Sequence, residues 1–256
     1  MSIDIGAIVR TGYERTVTRN GLLFAAMLFG ISVLDAMFSV GVAERTMSFG
    51  EMGPGGTAPV SDLAGGAPPI SLGLSAVIAT PVSLLLGLVS IVITIAAIRT
   101  FVTDETEALP REYFTEDLLW PVINLIVGGI VFGIAVAIGF SLLVIPGLFL
   151  LVSLFLWGVF VAVEGDSFIE GFRRSWGLTG GRRLRLFALG IVVIFVALVV
   201  SVAFAVPAAV LPGIVGFLLE QVGSALIGVF TLAAVAETYT RLRAASAPGE
   251  PDTVVE

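Results

Sequence analysis

"LLWPVINLIVGGIVFGIAVAIGFSLLVIPGLFLLVSLFLWGVFVAV", residues 118–163, contains no charged side chain. About twenty helical residues cross a hydrocarbon core roughly 30 Å thick, so this run is about two crossings long. It must turn back on itself. Ile145-Pro146-Gly147 is the expected break, because proline removes a backbone donor and glycine permits the turn. The hairpin it makes is the seed of an all-α, polytopic transmembrane helix bundle. Gly129 and Gly133 add a G-x-x-x-G spacing on one face of the first helix, either a close-packing face or a coincidence in a chain with 30 glycines.

Composition points the same way. The chain is 57% hydrophobic and 13% charged, whereas soluble domains carry about a quarter charged residues. Further apolar runs bring the expected spans to six, at residues 21–43, 70–98, 118–143, 147–163, 186–206 and 214–236. Residues 1–20 read as a polar cytoplasmic tail and 240–256 as a disordered one. Residues 44–69, rich in Gly and Pro, read as an irregular loop. Pro81 is placed to kink the second span or to lie in its first turns, and Pro207 with Pro212-Gly213 divides the last two. Pro110 is placed to start a short helix that sets Tyr113 and Phe114 at headgroup level. A signal peptide cleaved after Gly41-Val42-Ala43 is a competing reading of the first run. Its length and the aspartate inside it, Asp35, argue against that.

The arginines test this topology independently, since cytoplasmic loops are enriched in basic residues. The chain has no lysine, and with the N-terminus inside, the inner segments hold Arg10, Arg15 and Arg19, then Arg99 and Arg111, then five between residues 164 and 187, then Arg241 and Arg243. Only Arg45 of the thirteen falls outside. Both termini are therefore expected on the cytoplasmic face of the cell membrane.

The densest of these segments is "EGDSFIEGFRRSWGLTGGRRLRLF", residues 164–187. Ser167 and Glu170 have the S-x-x-E spacing of a capping box, which starts a helix. Phe168, Phe172 and Trp176 recur every four residues opposite Arg173 and Arg174, the pattern of an interfacial helix whose aromatics dip into the acyl boundary. Gly180-Gly181 ends it, and Arg182, Arg183 and Arg185 anchor the next span. Arg173, Arg174, Trp176, Arg182 and Arg183 are thus candidates for binding a lipid phosphate or another anion. The competing reading is that these arginines obey the positive-inside rule and bind nothing specific.

The ordered pattern of Ile145-Pro146-Gly147, Glu164-Gly165, Arg174-Ser175-Trp176, Leu178-Thr179 and Gly181 resembles the membrane domain found with some glycerophosphoryl diester phosphodiesterases and the related YciC-like group of six-span membrane proteins. The resemblance covers roughly residues 118–206 and implies the six-helix membrane fold. In the fused members a separate soluble domain carries the phosphodiesterase activity. This chain has no room for that domain and none of the histidines such a metal-dependent hydrolase uses, so the resemblance does not imply activity here.

Chemistry is sparse elsewhere. With no Cys and no His, the chain lacks thiolate ligands, the commonest metal ligand and the commonest general base. No nucleophile–base pair, metal cluster or phosphate-cradling glycine loop is visible, so neither catalysis nor a cofactor is expected. A net charge of −7 argues against nucleic-acid binding. The acidic, lysine-free balance resembles proteins of halophilic archaea, with an Arg-favouring, GC-rich genome as the alternative. Asp35 and Glu220 are the carboxylates inside spans, each a functional-site hypothesis by default and each near enough to the outer interface to be solvated instead. The leading expectation is a non-catalytic protein of membrane organisation or lipid association, with membrane lipids as partners and a homo-oligomer or second membrane protein left open. The runner-up is a small-solute or ion transporter using Asp35 and Glu220.

Overall fold

The computed structural model describes residues 4–38, 70, 72, 75–105, 110–114 and 117–246, and among these it is helical with no strand. The helices are α1 (Ile5–Thr16), α2 (Arg19–Phe38), α3 (Ala76–Thr103), α4 (Leu119–Leu142), α5 (Val144–Glu164), α6 (Phe168–Thr179), α7 (Arg183–Val210) and α8 (Gly213–Ala244). All but α1 and α6 are long and apolar enough to cross a membrane. The chain is an all-α, multi-pass membrane protein with six such helices. The loop at 44–69 with Arg45, the Gly41-Val42-Ala43 site and residues 247–256 lie outside the described residues.

Residues 4–16 are not a tail. Asp4 caps α1 by accepting the Ala7 N–H at 3.0 Å, and Ile8, Gly12 and Thr16 form a buried stripe. That stripe packs on α8, where a Cβ at Gly12 would meet the Phe230 ring at 3.2 Å. The chain then turns tightly into α2: Thr18 Oγ1 accepts the Gly21 N–H at 3.1 Å. A Cβ at Gly21 would lie 2.2 Å from the Arg15 carbonyl oxygen, so only glycine fits the turn.

Two breaks and one helix end differ from their expected places. Leu143, extended at φ −163°, separates α4 from α5, and Pro146 sits in the first turn of α5, where its missing N–H would have had no partner anyway. Gly147 supplies close approach instead of the turn, since a Cβ on Gly139 would come within 2.9 Å of its Cα. Pro81 lies in the second turn of α3, among the first turns where it was expected, whereas α7 runs through Pro207 to Val210. Finally α8 continues to Ala244, so residues 240–244 are helical rather than disordered. An i,i+4 pair between Glu237 and Arg241 supports that extension.

α8 is the hub, packed against α7, α1, α2 and α3, while α4 pairs with α5. Phe24 meets Phe101 edge-on and stacks on Phe114, which draws the short turn Arg111–Phe114 onto the bundle. Exposed Ile, Leu and Phe cover the outer faces of α3, α4 and α7, including Leu84, Ile134 and Phe195. In a bilayer these face acyl chains.

Candidate functional site

A cluster of ion pairs is built around α6. Gly165, at φ +70°, ends the π-turn that closes α5, and Ser167 caps α6 by accepting the Glu170 N–H at 3.3 Å. Asn124 of α4 adds a second cap, its Oδ1 accepting the Phe168 N–H at 2.9 Å. α5 loses its regular hydrogen bonding beyond Leu154, and Ser175 and Thr179 use the opening. Their hydroxyls both donate to the Ser153 carbonyl, at 3.0 and 3.1 Å. Phe172 and Trp157 meet edge-on at 5.1 Å, with Phe168 behind. The aromatic stripe is therefore divided: Phe168 and Phe172 pack on protein, while Ile169 and Trp176 stay exposed.

The arginines are divided as well. Arg174 turns inward to Glu164, to Asp166 at 3.2 Å and to Glu170 at 3.4 Å. Glu164 also receives Arg243 and the Tyr239 hydroxyl from α8, so one carboxylate ties α5, α6 and α8 together. Arg173 points outward, 82% exposed, with Glu170 at 3.9 Å. Arg182 donates to Ser246 Oγ at 3.2 Å, across to the end of α8. Phe149 and Trp176 meet edge-on at 5.4 Å, and Arg183 lies over both rings, its guanidinium carbon 4.4 Å from the Trp176 centroid and 4.6 Å from that of Phe149. Its Nε is buried with no hydrogen-bond partner among the described residues. Arg185 stands exposed in the first turn of α7.

A second ionic group meets at the same end. Arg15 of α1 reaches Asp104 at 2.9 Å, Glu237 at 3.3 Å and the Phe101 carbonyl at 2.6 Å. Arg99 Nε donates to the Ala162 carbonyl at 2.7 Å, in the π-turn. Glu164 and Glu237 link distant helices, a role the sequence analysis does not assign them. The available signal was that each acid falls at a helix end of the same expected face as the arginines.

Burial is the main influence on Asp166 and raises its carboxyl above the ordinary range; Arg174 opposes this, and Glu164 and Glu170 reinforce it. Its Oδ2 is within ion-pair distance of Arg174 but makes no aligned hydrogen bond. The carboxylate is thus desolvated without full compensation.

Away from this end, a cavity of about 370 Å³ opens between α2, α3 and α8. Asp35 and Ser32 line it from α2, Ser83 and Ser90 from α3, and Ser224 from α8. Ser83 Oγ is buried with no hydrogen-bond partner among the described residues. Glu220 is not among the lining residues, so the two intramembrane acids do not share this site. The serines were overlooked in the sequence, although Ser83, Gly87 and Ser90 have the 4-then-3 spacing of one helix face.

Comparison with known proteins finds one family model, described as a domain of unknown function (DUF7847), matching residues 3–242. No curated protein and no solved structure matches the chain.

Proposed function

Because the chain belongs to the DUF7847 family, whose description leaves the role open, we propose one from its own geometry: a non-catalytic protein of the cytoplasmic membrane that associates with anionic lipid. The observation that carries it is Arg183, its guanidinium over the touching rings of Trp176 and Phe149, in the same helical turn as the exposed Arg185. One turn further along α7, Leu186 opens an apolar groove of about 210 Å³ between α5, α7 and α8, with Leu189, Val193 and Phe155 in its walls. A guanidinium one helical turn from an apolar groove suits a phospholipid, with phosphate on the arginine and part of an acyl chain in the groove. Arg174 is not part of this reading, because three carboxylates already hold it. The asymmetry of the arginines supports placing this end, and both termini, in the cytoplasm.

Two finer assignments belong to the same reading. The Ile145-Pro146-Gly147 and Arg174-Ser175-Trp176 patterns support kinship with the YciC-like group, and the acidic, lysine-free composition supports a halophilic archaeal origin. A second functional reading, passage of an ion or small solute, is favoured by the Asp35 cavity alone.

Native mass spectrometry in a mild detergent tests the lipid reading. Wild type is expected to retain an anionic phospholipid, the pair Arg183→Gln with Arg185→Gln to lose it, and Arg174→Gln to keep it. Equal retention by all three, or by none, overturns the assignment.

A further inference from the structure

We infer that the cavity between α2, α3 and α8 is a binding site for an alkali-metal cation, with Asp35 as its anionic ligand. The inference rests on the second functional reading for its location, and not on the lipid assignment. A carboxylate in a membrane-spanning helix is costly unless something offsets its charge. Among the described residues nothing does: the Asp35 carboxylate has no ion pair and no side-chain hydrogen bond, and the cavity has no arginine in its lining. The missing partner is a mobile cation.

The donors present narrow the choice. Besides one carboxylate, the polar side chains are the hydroxyls of Ser32, Ser83, Ser90 and Ser224. All are hard oxygen ligands, which suit alkali and alkaline-earth ions and not soft transition metals. A single carboxylate balances one positive charge, whereas calcium sites commonly gather several acidic oxygens. Among the described residues no group of three or more acidic side chains is placed to hold a metal, so a monovalent ion fits the charge.

Two further features agree. Ser83 Oγ has no hydrogen-bond partner, so its lone pairs are free for an ion or for a water that the ion carries. The cavity holds about 370 Å³, room for on the order of ten water molecules. A partly hydrated sodium ion fits that space better than a bare one, with water completing the shell that one carboxylate and a few hydroxyls leave open.

The test uses the full chain purified in detergent, with sodium chloride replacing N-methylglucamine chloride at constant ionic strength. Radioactive sodium binding and the thermal midpoint are both read. Wild type is expected to bind sodium saturably and to gain thermal stability with it. Asp35→Asn is expected to lose both responses, Ser83→Ala to weaken binding about fivefold, and Glu220→Gln to leave it unchanged. Absence of saturable binding in the wild type overturns the inference without any variant having to fold, as does full binding by Asp35→Asn. Sodium flux into proteoliposomes is measured on the same preparation. Binding without flux keeps the cation site and removes the transport reading; flux without saturable binding removes the cation site and keeps that reading.

Discussion

Asp166 is a carboxylate whose neighbourhood works against its own ionisation. Its side chain is only 13% exposed, and Arg174, its cationic neighbour, is shared with Glu164 and Glu170. Burial raises its folded-state value above the ordinary one, about 3.9 for an unperturbed aspartate. The folded protein thus holds this proton more tightly than the unfolded chain does. The resulting stability is fully present below the ordinary value and is lost as pH rises through the folded one. Asp166→Asn removes the charge at every pH and leaves Arg174 two other carboxylates. Its thermal midpoint in detergent is expected to exceed that of wild type by about 1–3 °C at neutral pH, with the difference shrinking as pH falls toward about 4. A gap that is independent of pH, or a variant less stable at neutral pH, contradicts the account.

At the scale of helices, glycine placement separates close packing from chance. Gly128 of α4 is the residue under pressure: a Cβ there would lie 2.5 Å from the Trp157 ring and 2.7 Å from Phe168 Cβ. Gly129 and Gly133, the pair with the G-x-x-x-G spacing, have nothing within 4 Å of such an atom. Gly128→Ala is therefore expected to cost about 1–3 kcal/mol through overpacking. Gly129→Ala and Gly133→Ala are expected to be neutral or stabilising, because alanine is the better helix former. Thermal unfolding of the three variants in one detergent decides it, and a destabilised Gly133→Ala would restore the motif as an interface. The comparison also shows what was legible in the sequence. The spans were, because hydropathy is a local property that needs no knowledge of neighbours. The facing side of α4 was not, because helix rotation is set by the partner, here Trp157 and Phe168. α1 escaped for the same reason: its stripe of Ile8, Gly12 and Thr16 is short, and the α8 surface it covers is more than two hundred residues away. Of the candidate site, the clustering of arginine was visible and its division was not. Which arginine meets a carboxylate and which an aromatic ring depends on where α5 loses its regularity.

Across the whole molecule, the ionic contacts constrain how the chain threads the membrane. Arg15, Asp104, Glu164, Arg174 and Arg243 come from the start of the chain, the end of α3, the end of α5, α6 and the end of α8, yet they meet in adjoining ion-pair groups at one end of the bundle. An alternating path of six crossings brings those points together; dropping one crossing would put half of them on the opposite face. The absence of native cysteine makes this directly measurable. Tyr13→Cys and Arg173→Cys lie at the charged end, while Leu143→Cys and Leu211→Cys lie at the turns between α4 and α5 and between α7 and α8, all at exposed positions. With a membrane-impermeant maleimide on intact cells, the Leu143 and Leu211 variants are expected to label, and the other two only after permeabilisation. Full inversion of that pattern would keep six crossings and reverse the orientation inferred from the arginines. Labelling of Tyr13→Cys and Leu143→Cys from the same side would break the alternation itself.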